Sequence, residues 1–229
     1  MINLYGYGSL LVDGLFMTIK ASIVSFAIAI LLGLVGAGAK LSNSRIAKGV
    51  AETYTIVIRG IPELVLLLLI YYGGTVGLQK IAAQFGRDEY IDINAFIAGV
   101  SVIGFVYGAF ATEVFRGAIL AVPKGQIEAA KAVGMHRLLM WRRILMPQVM
   151  RHAIPGLGNV WLVLLKATAL MSVIGLDELT RKGFIAMGAT KKPFTFFIVI
   201  AFAYLGMTIV STLTLEALER RANRGVRRA

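Results

Sequence analysis

Five apolar runs of membrane-crossing length dominate this sequence. They extend from about Asp13 to Ala39, Pro62 to Leu78, Ala95 to Leu120, Pro155 to Leu176 and Phe194 to Leu218. About 20 residues of helix cross a bilayer, and a helix satisfies its own backbone where no water is available. A membrane barrel would need strands of ~10 residues with alternating polarity; these runs are longer and unbroken. The expectation is an all-α polytopic membrane protein, with five transmembrane helices in one domain over residues 1–229. A hydrophobic share of 58% and a mean hydropathy of +0.77 agree, since soluble domains hold about 45–50% apolar residues. The opening stretch MINLYGYGSLLVDGLF has no Lys, no Arg and no cleavage-site pattern. Its apolar run is expected to stay in the membrane rather than act as a signal peptide.

The net charge is +12. No segment combines a basic groove with aromatic platforms, so nucleic acid is not an expected partner. The basic residues read instead as anchors of cytoplasmic loops against anionic lipid. Five spans place the termini on opposite sides. With the N-terminus outside, the inner segments hold Lys40, Arg45 and Lys48, then six basic residues between the third and fourth spans, then five after the fifth. The outer segments hold six in all. This fourteen-to-six asymmetry sets the N-terminus outside and the C-terminus inside. The outer loops are GRDEYIDIN, with Asp88, Glu89 and Asp92, and DELTRKGFIAMGATKKP, of mixed charge. Neither is long enough to be a domain. On the inner side, Val50, Tyr54 and Val57 recur at helical spacing, which suits an amphipathic helix at the interface before Pro62 opens the second span.

The chain has no cysteine, which excludes disulfides, Fe–S clusters and thiolate metal sites. His136 and His152 lie in basic, loop-proximal sequence, and no metal site is expected. No His/Asp/Glu/Cys constellation presents a catalytic set. GLVGAGAKLSNS is Gly-rich beside Lys40, but it lacks the phosphate-loop spacing and ends a membrane run. It reads as close helix packing or a helix end, so any ATP must be bound elsewhere.

The inner loop at about 121–150 is longer than a connection requires. It contains EAAKAVGMHRLLMWRRILMP, from Glu128 to Pro147. Ile127 to Val133 are helix formers, and Gly134 stands where a helix could end or bend. Ala129 and Ala130 are small enough to let another surface approach the backbone. Two readings fit: a docking element for a cytoplasmic protein, or an amphipathic helix held on lipid by its arginines.

The spacing distinguishes them. Glu128, Ala129 and Ala130, then Gly134, then Ile144 and Pro147 resembles the EAA loop of bacterial ABC-importer permeases, with Met146 in place of the usual leucine. RGIPELVLLLLIYYG, TEVFRGAILAVPKGQIEAA and LLKATALMSVIGLDEL extend the likeness to the polar amino acid permease family, nearest the histidine and lysine–arginine–ornithine importers and their opine-transporting relatives. The resemblance implies a transport subunit, not an enzyme, in the bacterial inner membrane. It implies a dimer of ATP-binding cassette subunits, which bind the ATP and Mg, a second permease subunit, identical or homologous, and a periplasmic solute-binding protein. It also implies that residues about 126–137 form a coupling helix seated on an ATPase subunit.

Charges within spans are costly and are functional candidates. Lys166 falls near mid-membrane and could line a pathway or pair with an acid. Glu63 lies in the first turn of its span, where the helix dipole favours it. Glu113 stands three residues from Arg116 and could pair with it. Either acid could instead receive the cationic or α-amino group of a substrate. Thr168, Ser172, Asn159 and Tyr107 could line the path or join helices. The expected cargo is a polar, basic amino acid such as histidine, arginine, lysine or ornithine, or a related opine. The rival expectations are a secondary amino acid transporter and a permease for another polar amino acid such as glutamine.

Overall fold

Small residues decide where the two most intimate helices meet. In the computed structural model, which describes residues 4–85 and 93–223, α1 (Gly8–Lys40) and α4 (Ala95–Leu120) run parallel. Their contacts climb together: Gly104 meets Ile28 and Ser25, Gly108 meets Leu32, Gly33 meets Ala111, and Gly36 meets Thr112. Absent side chains at these glycines let the backbones approach, which is how helices associate where burial of apolar surface gives no drive. The Gly-rich end of the first run is thus a packing surface, and Lys40 is its last helical residue.

Around this pair the other elements follow in chain order. They are α2 (Arg45–Gly60), α3 (Glu63–Gln84), α5 (Lys124–Ala132), α6 (Arg137–Met140), a π-helical turn over Trp141–Leu145, and α7 (Met146–Ala167). A 3₁₀ stretch over Thr168–Ile174, α8 (Leu179–Thr190) and α9 (Pro193–Ala222) complete them. Gly156 against Val114 and Gly99 against Met171 set α7 antiparallel to α4. Arg151 donates to the Asn223 side chain at 2.8 Å, and Gly158 meets Leu215, so α9 returns antiparallel to α7. One end of the bundle therefore carries Lys40, Arg116, Arg151 and the α5–α6 hairpin.

Three expectations change. The fourth span does not begin at Pro155: helix is continuous from Arg137 to Ile174, with Pro155 inside it. Membrane helices tolerate such a proline because neighbours re-satisfy the freed carbonyl. The segment before Pro62 is amphipathic, but its buried face is Ala51, Thr55 and Ile58, whereas Val50 and Val57 are exposed. The buried face is set by what packs against α1 and α4, and Tyr54 reaches in to donate to the Phe105 carbonyl at 2.5 Å. Finally, α2 climbs to the middle of the bundle, where Arg59 lies over the Phe110 ring. The helix breaks at Ile61 and Pro62, with Glu63 beside Tyr107, and α3 forms the second span over Glu63–Gln84, opening at Pro62 as expected. The acids Asp88, Glu89 and Asp92 lie outside the described residues.

At the end far from the hairpin, the mixed-charge loop folds into α8. Glu178 is fully buried as its N-cap, accepting from the Thr180 and Arg181 amides at 2.9 Å each and from Tyr204 of α9 at 3.3 Å. Thr18 of α1 accepts from the Leu179 amide at 3.1 Å, and Gly14 lets α1 approach that backbone. The knot ties α1, α8 and α9. Glu178→Ala is expected to cost about 1–3 kcal/mol by removing the cap and stranding its donors. The readout is a lower thermal midpoint in detergent with insertion retained; an unchanged midpoint would refute the role. Burial pushes the Glu178 carboxyl above the ordinary carboxylate range, against the opposing hydrogen bonds. Between the unfolded value, about 4.3, and this raised one, the folded chain binds more protons than the unfolded. Glu178 therefore makes stability fall as pH rises through that window.

Candidate functional site

The hairpin is built from local signals. Helix α5 stops at Val133, and Gly134 adopts φ +76°, the left-handed conformation that glycine favours. The Gly134 amide then bonds the Lys131 carbonyl and the Met135 amide bonds the Ala130 carbonyl, both at 3.0 Å. This is a Schellman stop. His136 caps the next helix, accepting from the Leu139 amide at 3.4 Å. The coupling element expected at 126–137 is thus two short helices around a glycine turn, with α5 covering Lys124–Ala132.

Its faces are distinct. Ala130 is buried and Ala129 exposed, so only one of the two alanines is open to a partner. Glu128 and Gly134 are exposed too. Val133, Leu138 and Trp141 are 73%, 69% and 53% exposed on the same hairpin, beside Lys131, Arg137, Arg142 and Arg143. An apolar patch rimmed by charge marks an interaction surface.

Ile144 and Pro147 stand where the hairpin joins the long span. Proline has no N–H and its ring collides with the carbonyl four residues back. The helix widens into a π turn just before it, with the Met146 amide bonding the Trp141 carbonyl. The Gln148 side chain donates to the Ile144 carbonyl at 3.0 Å. Such π turns recur at functional positions.

The charged candidates separate. Glu113 bonds Lys40 at 2.6 Å and Arg116 at 2.9 Å, which joins the hairpin ends of α1 and α4. Sequence spacing anticipates Arg116; Lys40, 73 positions away, emerges only from the fold. Glu63 is half-buried in the first turn of α3 and accepts from Tyr107 at 3.4 Å. Thr168 is fully buried and donates to the Leu165 carbonyl at 2.7 Å, and Ser172 bonds the Ala169 carbonyl likewise. Lys166 and Asn159 are exposed on α7. Among the described residues no cluster of His, Asp and Glu could hold a metal.

Residues 29–224 match the family described as the inner membrane component of binding-protein-dependent transport systems. The chain belongs to this family. It is a multi-pass inner-membrane protein and the permease subunit of an amino acid ABC importer, a transport component rather than an enzyme. The HisQ permease of the histidine/lysine/arginine/ornithine transport system of Salmonella typhimurium is 47% identical over 99% of each chain. The OccQ permease of the octopine transport system of Rhizobium meliloti is 41% identical over 97% of this chain and 94% of its own. A crystal structure of an amino acid ABC transporter with histidines superposes with a TM-score of 0.81 at 38% identity, covering 96% of this chain and 99% of that one.

Proposed function

We propose that this chain forms one half of an importer pathway for polar, basic amino acids, opines included, and that its α5–α6 hairpin couples the pathway to ATP hydrolysis. The observation that carries the reading is the hairpin itself: an exposed apolar patch on a stiff, glycine-stopped turn, continuous through the π turn with a membrane-crossing helix. Glu128, Ala129 and Gly134 face the partner, Ala130 packs the hairpin together, and Ile144 and Pro147 set its angle to the span. The partners are a dimer of ATP-binding cassette subunits, which hold ATP and Mg, a second permease and a periplasmic solute-binding protein. Lipid covers α9, whose open face carries Phe202, Leu205, Ile209 and Leu213.

ATP-driven closure of the ATPase pair would push on the hairpin, and the long span would carry the displacement as a rigid body. Relatives named for histidine, lysine, arginine, ornithine, octopine and nopaline suggest cationic cargo. Glu63, beside the helix break at the middle of the bundle, offers that cargo a carboxylate, whereas Glu113 is held by two cations.

Orientation provides the test. The chain has no native cysteine. A cysteine at exposed Asn43 should react with an impermeant maleimide only from the cytoplasm, and one at exposed Lys192 only from outside. Labelling of Asn43→Cys from outside would put the hairpin on the wrong side for an ATPase and end the proposal.

A further inference from the structure

The hairpin end of the bundle holds a cavity of about 490 Å³ that transport of the cargo does not use. Three helices wall it. Lys40 and Leu41 stand at the end of α1, Arg116 and Leu120 at the end of α4, and Lys48, Glu52 and Ile56 on α2. Leu41, Ile56 and Leu120 are all exposed.

The charges of the walls do not cancel. Glu113 serves two cations at once, 2.6 Å from the Lys40 ammonium and 2.9 Å from the Arg116 guanidinium. Lys48 and Glu52 are exposed and four residues apart on α2, yet among the described residues neither forms an ion pair. If Glu52 is set against Lys48, the walls still carry one positive charge over. Arg45, one turn before Lys48 and exposed, adds to the same sign.

A soluble anion could answer that charge, but it would leave Ile56 and Leu120 bare. Helix α2 climbs from this end toward the middle of the bundle, and Ile56 stands eight residues beyond Lys48, ~12 Å further along the helix. The wall is therefore basic where the membrane begins and apolar further in. A phospholipid has the same order, with phosphate first and acyl chain after it. A zwitterionic headgroup adds no net charge and would leave the surplus in place. A phosphodiester with an uncharged headgroup cancels it.

We propose that this cavity binds one anionic phospholipid from the leaflet at the hairpin end, with its phosphate on Lys48 and Arg116 and an acyl chain laid along Ile56. Phosphate oxygens accept from both cations, and the planar guanidinium can present two parallel donors. Basic pockets between membrane helices suit such headgroups. The lipid would tie α1, α2 and α4 together just before α5 begins. The site goes beyond the importer reading, since it stands whichever amino acid crosses and whichever way the chain faces.

The experiment uses the assembled complex, with its partner subunits made free of cysteine, in nanodiscs of phosphatidylcholine. A bimane fluorophore on Ile56→Cys reports on the cavity, and one on Leu213→Cys, exposed on α9, reports on ordinary lipid. The probes are phosphatidylglycerol, phosphatidylethanolamine and phosphatidylcholine with brominated chains, which quench bimane on contact. Phosphatidylglycerol should quench position 56 at a mole fraction about fivefold or more below that of the other two, the scale of one basic residue near an anionic headgroup. No such preference should appear at position 213. Lys48→Gln should remove most of the preference, Lys48→Arg should keep it, and Glu52→Gln should strengthen it. Equal quenching by the three lipids at position 56, the same preference at position 213, or a preference indifferent to Lys48→Gln would overturn the proposal. So would displacement of phosphatidylglycerol by millimolar inorganic phosphate, which would make the site one for a free anion. Release of the ATPase subunits or the second permease by Lys48→Gln would overturn it too, because the cations would then face protein.

Discussion

Gly134→Trp is expected to leave the permease in the membrane and strip it of its ATPase subunits. Two costs combine. At φ +76° an L side chain pays about 1–2 kcal/mol of backbone strain. The indole also occupies a surface that is open in the isolated chain, where no atom lies within 4 Å of the point a Cβ would take, and where the proposed ATPase groove would close. A loss of about 3 kcal/mol in docking is a hundredfold or greater loss in affinity. Gly134→Asn separates the two costs. Asparagine tolerates the left-handed conformation, so this variant keeps the turn, adds modest bulk and should retain most assembly. Gly134→Ala pays strain with little bulk and should fall between them. The measurement is the amount of ATPase subunit that co-purifies per permease, with membrane abundance as control. Gly134→Trp with normal abundance, normal ATPase retention and normal transport would remove the hairpin from the coupling path.

The Gly134 turn is legible in the sequence because its signal is local: helix formers, then a glycine, then a polar cap at His136. The number of crossings is legible for a similar reason, since apolar length acts on each segment alone. Composition does not convey pairing between distant segments. Lys40 with Glu113, and Glu178 with Tyr204, join residues far apart in sequence that carry no periodic mark. The Asp177-Glu178-Leu179-Thr180 stretch does hold an N-cap pattern for α8, but its charge reads equally well as loop. Proline points both ways. Pro155 looks like a start although the helix passes through it, whereas Pro62 does stand directly before the helix of the second span, Glu63–Gln84. Along α2, Val50 and Val57 have the right helical period and the wrong face. In a membrane bundle small residues, not large apolar ones, mark the packed side, and Ala51 and Thr55 occupy it.

That rule gives the largest expected effect on folding. A Cβ built on Gly33 would lie 2.6 Å from the Ala111 Cβ and 3.0 Å from its backbone carbon; one on Gly104 would lie 2.6 Å from the Ile28 Cβ and 3.0 Å from the Ser25 carbonyl oxygen. Neither neighbour can rotate away, because a Cβ or a backbone atom moves only with its helix. Even Gly104→Ala should therefore push α1 and α4 apart and lower the thermal midpoint, at a cost of about 1–3 kcal/mol for overpacking. Gly33→Leu adds three more carbons to the same gap and should yield little monodisperse protein in detergent. The displacement would also misalign Lys40 with the Glu113–Arg116 pair, seven residues further along α1. The control lies on the same helix: Gly38→Leu, where nothing stands within 4 Å of the new Cβ, should behave like the native chain. Fluorescence-detected size exclusion after graded heating compares all of them. If Gly33→Leu and Gly38→Leu melt together, the glycines of α1 are not what holds it to α4.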